Sequence, residues 1–309
     1  MYKEKRPSRS EFVPIRGLNY HVQVWHGTPD TSQPPLVLAH GWMDVAASWQ
    51  FMIDAFSSAF AAGRTIIAPD WRGFGQTLPG SGASRPDYYW NPDYLADLDF
   101  LLDHYAPGQP ADLVGHSMGG NVAMLYAGVR PERIRKLVNL EGFGMPATQP
   151  RQAPGRYAKW MDELKSLRRG EMVLKAYDDV DGVARRLMKT NPRLTPDKAN
   201  WLAGHWARPD AAGKWRILGD AAHKITSAQL YRLDEVLQIH RCISAPTLAI
   251  EASDDSMGLW WKGKYSLDEY HERLKQVPDA QVVVIQDAGH MLHHDQPEQL
   301  ALLIEGFLA

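Results

Sequence analysis

The sequence predicts an α/β protein with a mostly parallel, doubly wound sheet and an inserted helical cap. Short, continuously apolar runs recur along the 309 residues, and segments with apolar residues at helical spacing separate them. Such runs suit strands buried on both faces, as in a parallel sheet covered by helices. Strands that alternate with helices indicate a doubly wound sheet. The alternation stops between about Phe143 and His240, where helical patterns, arginines and tryptophans occur without a convincing buried strand.

The elements follow in order along the chain. Residues 1–10 are polar and are expected to be loose. Two strands, 12–15 and 18–25, are predicted on either side of Gly17, and the second alternates apolar with polar side chains as a half-exposed strand does. Further strands are predicted at 36–39, 65–68, 113–114, 136–140, 247–250 and 282–285. Helices are predicted at 46–62, from Pro92 onward, and at 118–129, 267–277 and 297–308.

The break in this alternation divides the chain into three segments. Residues 1–142 are predicted to form the first part of the core, and residues 143–240 the helical cap. Residues 241–309 complete the core, because strand and helix patterns alternate there again.

Composition excludes several classes of partner. A net charge of -2 gives no reason to expect nucleic acid or an anionic membrane. The single cysteine, Cys242, has no partner for an internal disulfide. No apolar run is long enough to span a bilayer. The basic start of the chain has no apolar stretch behind it, so we expect no secretory signal and a soluble, cytoplasmic protein.

One motif organises the chemistry. Gly115-x-Ser117-x-Gly119 follows a short apolar run and opens a helical pattern. A serine at a strand-to-helix turn has a strained backbone, so its neighbours two positions away must be nearly free of side chain. The turn projects the serine Oγ beside a helix N-terminus, where N–H groups favour developing negative charge.

Other strand ends carry matching groups. In open parallel sheets, ligands bind at the carboxyl ends of the strands. The predicted strands end near His40, Ser117, Glu141, Asp255 and His290. A nucleophile, an acid and a histidine therefore lie along one edge of the sheet, in the order Ser, acid, His.

This set of motifs resembles the α/β-hydrolase superfamily over nearly the whole chain. The motifs that carry the resemblance are His40-Gly41, Asp70-x-Arg72-Gly73-x-Gly75, Gly115-x-Ser117-x-Gly119 and Gly289-His290. The chain is most similar to capped members: kraken-type serine hydrolase-like proteins, haloalkane dehalogenases and carbon–carbon bond hydrolases. Dehalogenases and epoxide hydrolases of that group use aspartate as the nucleophile. Ser117 at that position argues against both activities.

The resemblance and the chemistry assign roles. Ser117 would be the nucleophile and His290 the base that takes its proton and returns it to the leaving group. The backbone N–H groups of Trp42 and Met118 would form the oxyanion hole.

The acid that orients His290 has three candidates. Asp255 follows the strand that usually supplies it in this superfamily and is preferred. The usual Gly-x-x-Asp loop with a following proline is absent, because Ala252 replaces the glycine and the unusual segment 257–262 intervenes. Glu141, at the end of the preceding sheet strand, is the alternative acid, because some similar dehalogenases take their acid from that position. Asp254 is a minor candidate.

Three residues are candidates for substrate contacts, and a histidine-rich segment raises the question of a metal site. His40, Phe143 and Trp206 are candidates for lining a substrate pocket, although a histidine in the position of His40 more often braces its own turn. His293 and His294 lie close to His290 and Asp295, but their spacing does not fit the helical pair of zinc hydrolases. They are interpreted as packing and surface residues, and no metal or organic cofactor is expected.

The sequence thus predicts a serine hydrolase that cleaves an ester or a similarly activated carbonyl through an acyl-enzyme. The expected partner is a small molecule with an apolar acyl or alcohol part. One alternative is a carbon–carbon bond hydrolase of the same fold, and another is a non-catalytic binding protein. A homodimer is compatible with the sequence, which does not fix the oligomeric state.

Overall fold

The computed structural model describes residues 2–26, 33–79 and 86–309. Its strands are β1 (Arg9–Ile15), β2 (Leu18–Trp25), β3 (Leu36–Ala39), β4 (Ile66–Pro69), β5 (Leu78–Pro79), β6 (Ala111–His116), β7 (Ile134–Leu140), β8 (Ala176–Tyr177), β9 (Ala207–Pro209), β10 (Trp215–Ile217), β11 (Thr247–Ala252) and β12 (Ala280–Ile285). Its α-helices are α1 (Gln50–Ala55), α2 (Ser58–Ala62), α3 (Asn91–Tyr105), α4 (Met118–Val129), α5 (Ala153–Arg168), α6 (Val180–Thr190), α7 (Pro196–Trp206), α8 (Leu233–Arg241), α9 (Ser256–Trp261), α10 (Leu267–Leu274), α11 (Leu292–Asp295) and α12 (Pro297–Leu308).

A twisted sheet in the order β1-β2-β4-β3-β6-β7-β11-β12 forms the centre of the molecule, and β5 pairs with β2 at one side. The pairs β1–β2 and β2–β4 are antiparallel, and the pairs from β4 through β12 are parallel. Apolar clusters cover both faces, one with α3 and α4 and the other with α1 and α12. The predicted α/β class and mostly parallel sheet are confirmed.

The predicted helix over residues 46–62 is broken. A 3₁₀ turn, Ala46–Trp49, leads into α1, and Phe56 leaves the helical region with ψ 147°. The next residue, Ser57, then caps α2 by accepting a hydrogen bond from the Phe60 N–H at 3.2 Å. Serine favours this capping position over the helix interior, which explains the interruption.

The N-terminal segment, residues 2–6, is docked rather than loose. The Tyr2 hydroxyl and the backbone N–H groups of Lys5 and Arg6 donate to the Asp54 carboxylate on α1. The Tyr2 ring also meets Trp201 of α7 edge to face, with ring centroids 5.3 Å apart. This segment therefore touches both the sheet domain and a helix of the 143–240 insertion.

The segment predicted as the cap, residues 143–240, contains α5 to α7, all but the last residue of α8, and a small antiparallel sheet in the order β8-β10-β9. These strands have two or three residues each and were not predicted from the sequence. The last helix, α8, packs on α4 of the core: a Cβ added at Gly128 would lie 2.2 Å from the Ile239 carbonyl oxygen. The division at residues 143 and 240 remains a prediction.

Candidate active site

The turn at Ser117 has the strained geometry that the motif predicts. Ser117 lies between β6 and α4 with φ 53° and ψ -115°. A Cβ at Gly115 would come within 2.4 Å of the Gly119 carbonyl oxygen, and one at Gly119 within 2.1 Å of the Ala39 carbonyl oxygen. Both glycines are therefore required by close backbone contacts. A non-glycine residue in this region costs on the order of 1–3 kcal/mol and is maintained only by its surroundings.

The oxyanion hole is predicted to use the backbone N–H groups of Met118 and Trp42. Met118 is the first residue of α4, so its N–H has no partner inside the helix, and the first intrahelical bond runs from the Asn121 N–H to the Ser117 carbonyl at 3.0 Å. Trp42 follows β3, and the next residue, Met43, has a left-handed φ of 55°. Trp42 and Met118 both line the same cavity as Ser117.

Glu141 is the carboxylate that the structure brings to His290. The His290 Nδ1 lies 3.3 Å from the Glu141 Oε2. Glu141 is buried at the end of β7 with φ 54°. Its Oε1 accepts the Ala252 N–H at 2.8 Å, and its Oε2 accepts the Ser256 hydroxyl. The carboxylate is therefore fixed by hydrogen bonds on both oxygens.

His290 is held by a hydrogen bond to its backbone carbonyl, and an aromatic ring packs against its side chain. The His116 Nε2 lies 2.8 Å from the His290 carbonyl oxygen. The Trp260 ring meets the His290 ring edge to face, with centroids 4.0 Å apart. His290 and Ser117 line one cavity, so the structure places both at the same site.

Asp255, the preferred acid of the sequence analysis, is not brought to His290. Its exposed side chain caps α9 by accepting the Gly258 N–H at 2.7 Å. Asp254 pairs instead with Arg193 at 2.6 Å. Aspartate is favoured as an N-cap, and the chain after β11 turns at once into a helix, so this side chain serves the helix end. The geometry supports Glu141, the alternative acid, and not Asp255.

Burial shifts the pKa values of both His290 and Glu141. Loss of solvent raises the pKa of Glu141 to about 7, against the lowering effect of hydrogen bonds from Ser256 and Ala252. Burial lowers the pKa of His290 to about 3, so the ring is neutral near neutral pH. A neutral imidazole can accept a proton, as a general base must.

The cavity has a volume of about 890 Å³ and is lined by residues that follow the sheet strands and by residues of α6, α7 and α8. Phe143 and Trp206, two of the predicted pocket residues, line it. Its apolar lining includes Leu95, Met124, Leu187, Leu194, Leu202 and Leu230.

His40 is not part of this lining, so its prediction as a pocket residue is wrong. It is fully buried, its Nε2 accepts the Trp71 N–H at 2.9 Å, and its Nδ1 lies 2.7 Å from the Gly41 carbonyl oxygen. Asp70 accepts N–H groups from Ala46 and Gln76 in the same region. These residues brace the loop that carries Trp42.

Several residues next to the site were not singled out from the sequence as functional: Asp44, His116, Ser256 and Trp260. Ser256 and Trp260 both lie on α9, the segment that interrupts the expected acid loop. That departure from the usual pattern was the available signal. His293 and His294, expected as packing and surface residues, are both buried.

Residues 34–297 match the family model described as the alpha/beta hydrolase fold. The chain belongs to this family of hydrolases, as the sheet order and the strained serine turn also indicate.

Relatives and solved structures agree with this membership. The chain is 26% identical to a serine hydrolase-like protein of Danio rerio, covering 98% of this chain and 89% of the relative. It is 26% identical to the sn-1-specific diacylglycerol lipase ABHD11 of Mus musculus, covering 98% and 90%. The thioesterase domain from the curacin biosynthetic pathway superposes with a TM-score of 0.80 at 24% identity, covering 97% of this chain and 99% of that structure. The part of the chain that the structure describes contains no helix with the length and apolar character needed to cross a membrane.

Proposed function

We propose that this protein is a serine hydrolase that cleaves an ester, or a similarly activated carbonyl, through an acyl-enzyme. Ser117 is the nucleophile, His290 the base and Glu141 the acid. The observation that carries the proposal is the 3.3 Å contact between His290 Nδ1 and Glu141 Oε2, at the wall of the cavity that Ser117 also lines.

The reaction proceeds in two halves. As Ser117 Oγ attacks the substrate carbonyl carbon, His290 Nε2 takes the hydroxyl proton, and the imidazolium returns it to the leaving alcohol. Water then attacks the acyl-enzyme with the same base, and the acid product leaves with Ser117 restored. Glu141 accepts the Nδ1–H throughout, which keeps Nε2 free and stabilises the imidazolium.

The negative oxygen of each tetrahedral intermediate needs hydrogen-bond donors that are in place beforehand. The N–H groups of Met118 and Trp42 supply them, because backbone donors on a fixed loop and a helix N-terminus need no reorganisation. Met43 and Ser117, the chain neighbours of these donors, both have a positive φ. The strained backbone therefore lies next to the two N–H groups that would bind the oxyanion.

The cavity favours a substrate with an apolar group. Leucine and methionine side chains dominate the walls near Ser117, and the volume accommodates a medium-sized acyl or alcohol part. A lipid ester is the substrate class named for the mouse relative. We therefore propose medium-chain esters as the first substrates to test.

Labelling with a fluorophosphonate probe tests the nucleophile. We expect one probe mass on the peptide that contains Ser117, and turnover of p-nitrophenyl esters that varies with acyl length. Ser117→Ala should abolish labelling and lower kcat on the order of a million-fold, as loss of the nucleophile does in serine proteases.

Ser227 supplies the matched control, because it also lines the cavity. Ser227→Ala should label like the unaltered protein. Absence of labelling in the unaltered protein, or labelling that survives Ser117→Ala, would contradict the proposal. Release of a dienoate from a vinylogous diketone, with no turnover of esters, would assign carbon–carbon bond hydrolysis instead.

A further inference from the structure

A buried polar cluster lies directly behind the candidate active site. Asp44, His116 and His293 are 5%, 2% and 0% exposed, and one ligand atom from each lies within 4.8 Å of the other two. Each residue comes from a different catalytic segment. Asp44 follows Trp42 by two residues, His116 precedes Ser117, and His293 follows His290 by three residues.

The hydrogen bond of His116 defines its tautomer. A carbonyl oxygen can only accept, so the His116 Nε2, 2.8 Å from the His290 carbonyl, carries the proton. The neutral ring therefore has its lone pair on Nδ1. This Nδ1 is buried and has no hydrogen-bond partner among the described residues.

Ser48 lies between the two neighbouring histidines, His293 and His294. Its Oγ lies 2.6 Å from the His294 Nε2 and 3.4 Å from the His293 Nε2. Because a hydroxyl has one proton, at least one of these two rings donates its Nε2–H to Ser48. The His293 Nδ1 is buried without a partner in the described structure, and it carries the lone pair when His293 donates its Nε2–H.

Asp44 is the third member of the cluster. Its Oδ1 accepts the Val45 N–H at 2.9 Å and the Trp206 Nε1–H at 3.2 Å. Its Oδ2 is buried and has no hydrogen-bond partner within the described residues, and the Ser48 hydroxyl lies near the carboxylate. The cluster thus offers an ion three buried atoms without a partner: two imidazole nitrogens and one carboxylate oxygen.

We propose that Asp44, His116 and His293 form a binding site for one divalent transition-metal ion, with zinc as the type case. Two neutral imidazoles and a carboxylate are a donor set that suits Zn²⁺. Two ligands about 2.1 Å from a tetrahedral ion lie about 3.4 Å apart, so a pair at the 4.8 Å limit would close by roughly 1.4 Å on binding. Asp44 and His116 line the cavity, which gives the ion a path inward.

The surrounding contacts support this assignment. Metal-bound histidines usually donate their other ring N–H to a carbonyl, carboxylate or hydroxyl. His116 donates to the His290 carbonyl, and the His293 Nε2 lies 3.4 Å from the Ser48 hydroxyl. The ion would tie together the loop after β3, the serine turn and the segment after His290. It would be distinct from the Ser117–His290–Glu141 set.

Metal binding by the full chain tests the site. Protein stripped with EDTA would be titrated with ZnCl₂ by calorimetry, and Co²⁺ would be added separately to read the coordination number from the visible spectrum. We expect one ion per chain, a rise in Tm with Zn²⁺ and a low-coordinate Co²⁺ spectrum. Asp44→Asn and His293→Gln should each weaken binding by at least about tenfold.

Two histidine variants are the controls. His240→Gln changes a cavity histidine outside the cluster, and His290→Asn removes the catalytic histidine; both should bind one ion as the unaltered chain does. Loss of binding in His290→Asn with full binding in His293→Gln would overturn the proposal. So would the absence of a stoichiometric ion.

If both ligand variants unfold, anomalous diffraction at the zinc edge from zinc-soaked crystals of the unaltered protein decides the question. A peak between Asp44, His116 and His293 supports the site, and a peak elsewhere or none overturns it. Ser117→Ala should bind the ion normally, so failure of the metal site and failure of the serine mechanism are distinguishable.

Discussion

Two adjacent strands, β7 and β11, are each followed by a carboxylate that the sequence offers as the acid that orients His290. Glu141 at the end of β7 is 3% exposed and contacts His290, whereas Asp255, after β11, is exposed and caps α9. Both lie at the correct edge of the sheet. Position at a strand end is therefore insufficient, and the path of the following few residues decides which carboxylate reaches the histidine.

The segment after β11 has a different role from the expected one. Because Asp255 starts α9, the next residue, Ser256, turns inward and donates to Glu141, while Trp260 packs on His290. The strand end that usually supplies the acid here supplies a hydrogen-bond donor for an acid on the neighbouring strand.

Glu141→Gln is expected to have the largest effect on kcat, because it changes the carboxylate that contacts His290. The amide cannot stabilise the imidazolium and favours the wrong histidine tautomer, so kcat should fall about ten-thousand-fold, as the comparable change does in serine proteases. Steady-state hydrolysis of a p-nitrophenyl ester measures this loss. Asp255→Asn and Asp254→Asn are matched changes and should leave kcat within about threefold, since neither carboxylate contacts His290. The opposite ranking would return the role to Asp255.

The pH profile sharpens the same comparison. The reactive form needs Glu141 ionised and His290 neutral, and the pKa of His290, at about 3, is the lower of the two. Activity should therefore fall as pH drops through about 7, where Glu141 gains a proton. The kcat/KM profile between pH 4 and 9 measures this. Asp255→Asn should keep the same limb, moved slightly to lower pH, because the charge of Asp255 raises the pKa of Glu141. If Glu141→Gln still lost activity at low pH with the pKa of an ordinary histidine, the assignment would be wrong.

Ser256→Ala is expected to have an intermediate effect. The hydroxyl stabilises the Glu141 carboxylate and lowers its pKa, so its removal should raise that pKa and move the acid limb of activity to higher pH. A hydrogen bond to a charged group is worth about 1.5–3 kcal/mol, so kcat at neutral pH should fall roughly tenfold. Ser253→Ala on the same loop is the control. A uniform loss at all pH values would indicate misfolding rather than loss of the hydrogen bond.

The smallest effect concerns stability alone. Asp255→Ala removes the N-cap of α9 and should lower the free energy of unfolding by about 1 kcal/mol, while Asp255→Asn keeps an acceptor and should change it little. Urea denaturation measures both. If the alanine variant were as stable as the asparagine variant, the capping role would be wrong.

Much of the fold could be predicted, because its signals are local. Continuous apolar runs marked the parallel strands, and Gly115 and Gly119 marked a turn whose backbone contacts exclude a Cβ. The break at Phe56 was missed because the apolar pattern of α1 continues into α2 across Ser57 and Ser58. The strands β8 to β10 were missed because two or three residues carry no periodicity.

The site was predictable only in part. Ser117 and His290 follow from motifs, but the choice of acid depends on where α9 begins, and that is a tertiary outcome of a six-residue segment. The cluster of Asp44, His116 and His293 joins residues from three distant segments, and no spacing along the chain encodes their meeting.

The docking of residues 2–6 has a practical consequence for work with this protein. Tyr2 contacts Asp54 on α1 and the Trp201 ring on α7, and Glu4 accepts the Trp201 Nε1–H at 3.0 Å. The leading residues thus connect α1 to α7. Removing them, or fusing an affinity tag to them, would break these contacts, so a tag is better placed elsewhere.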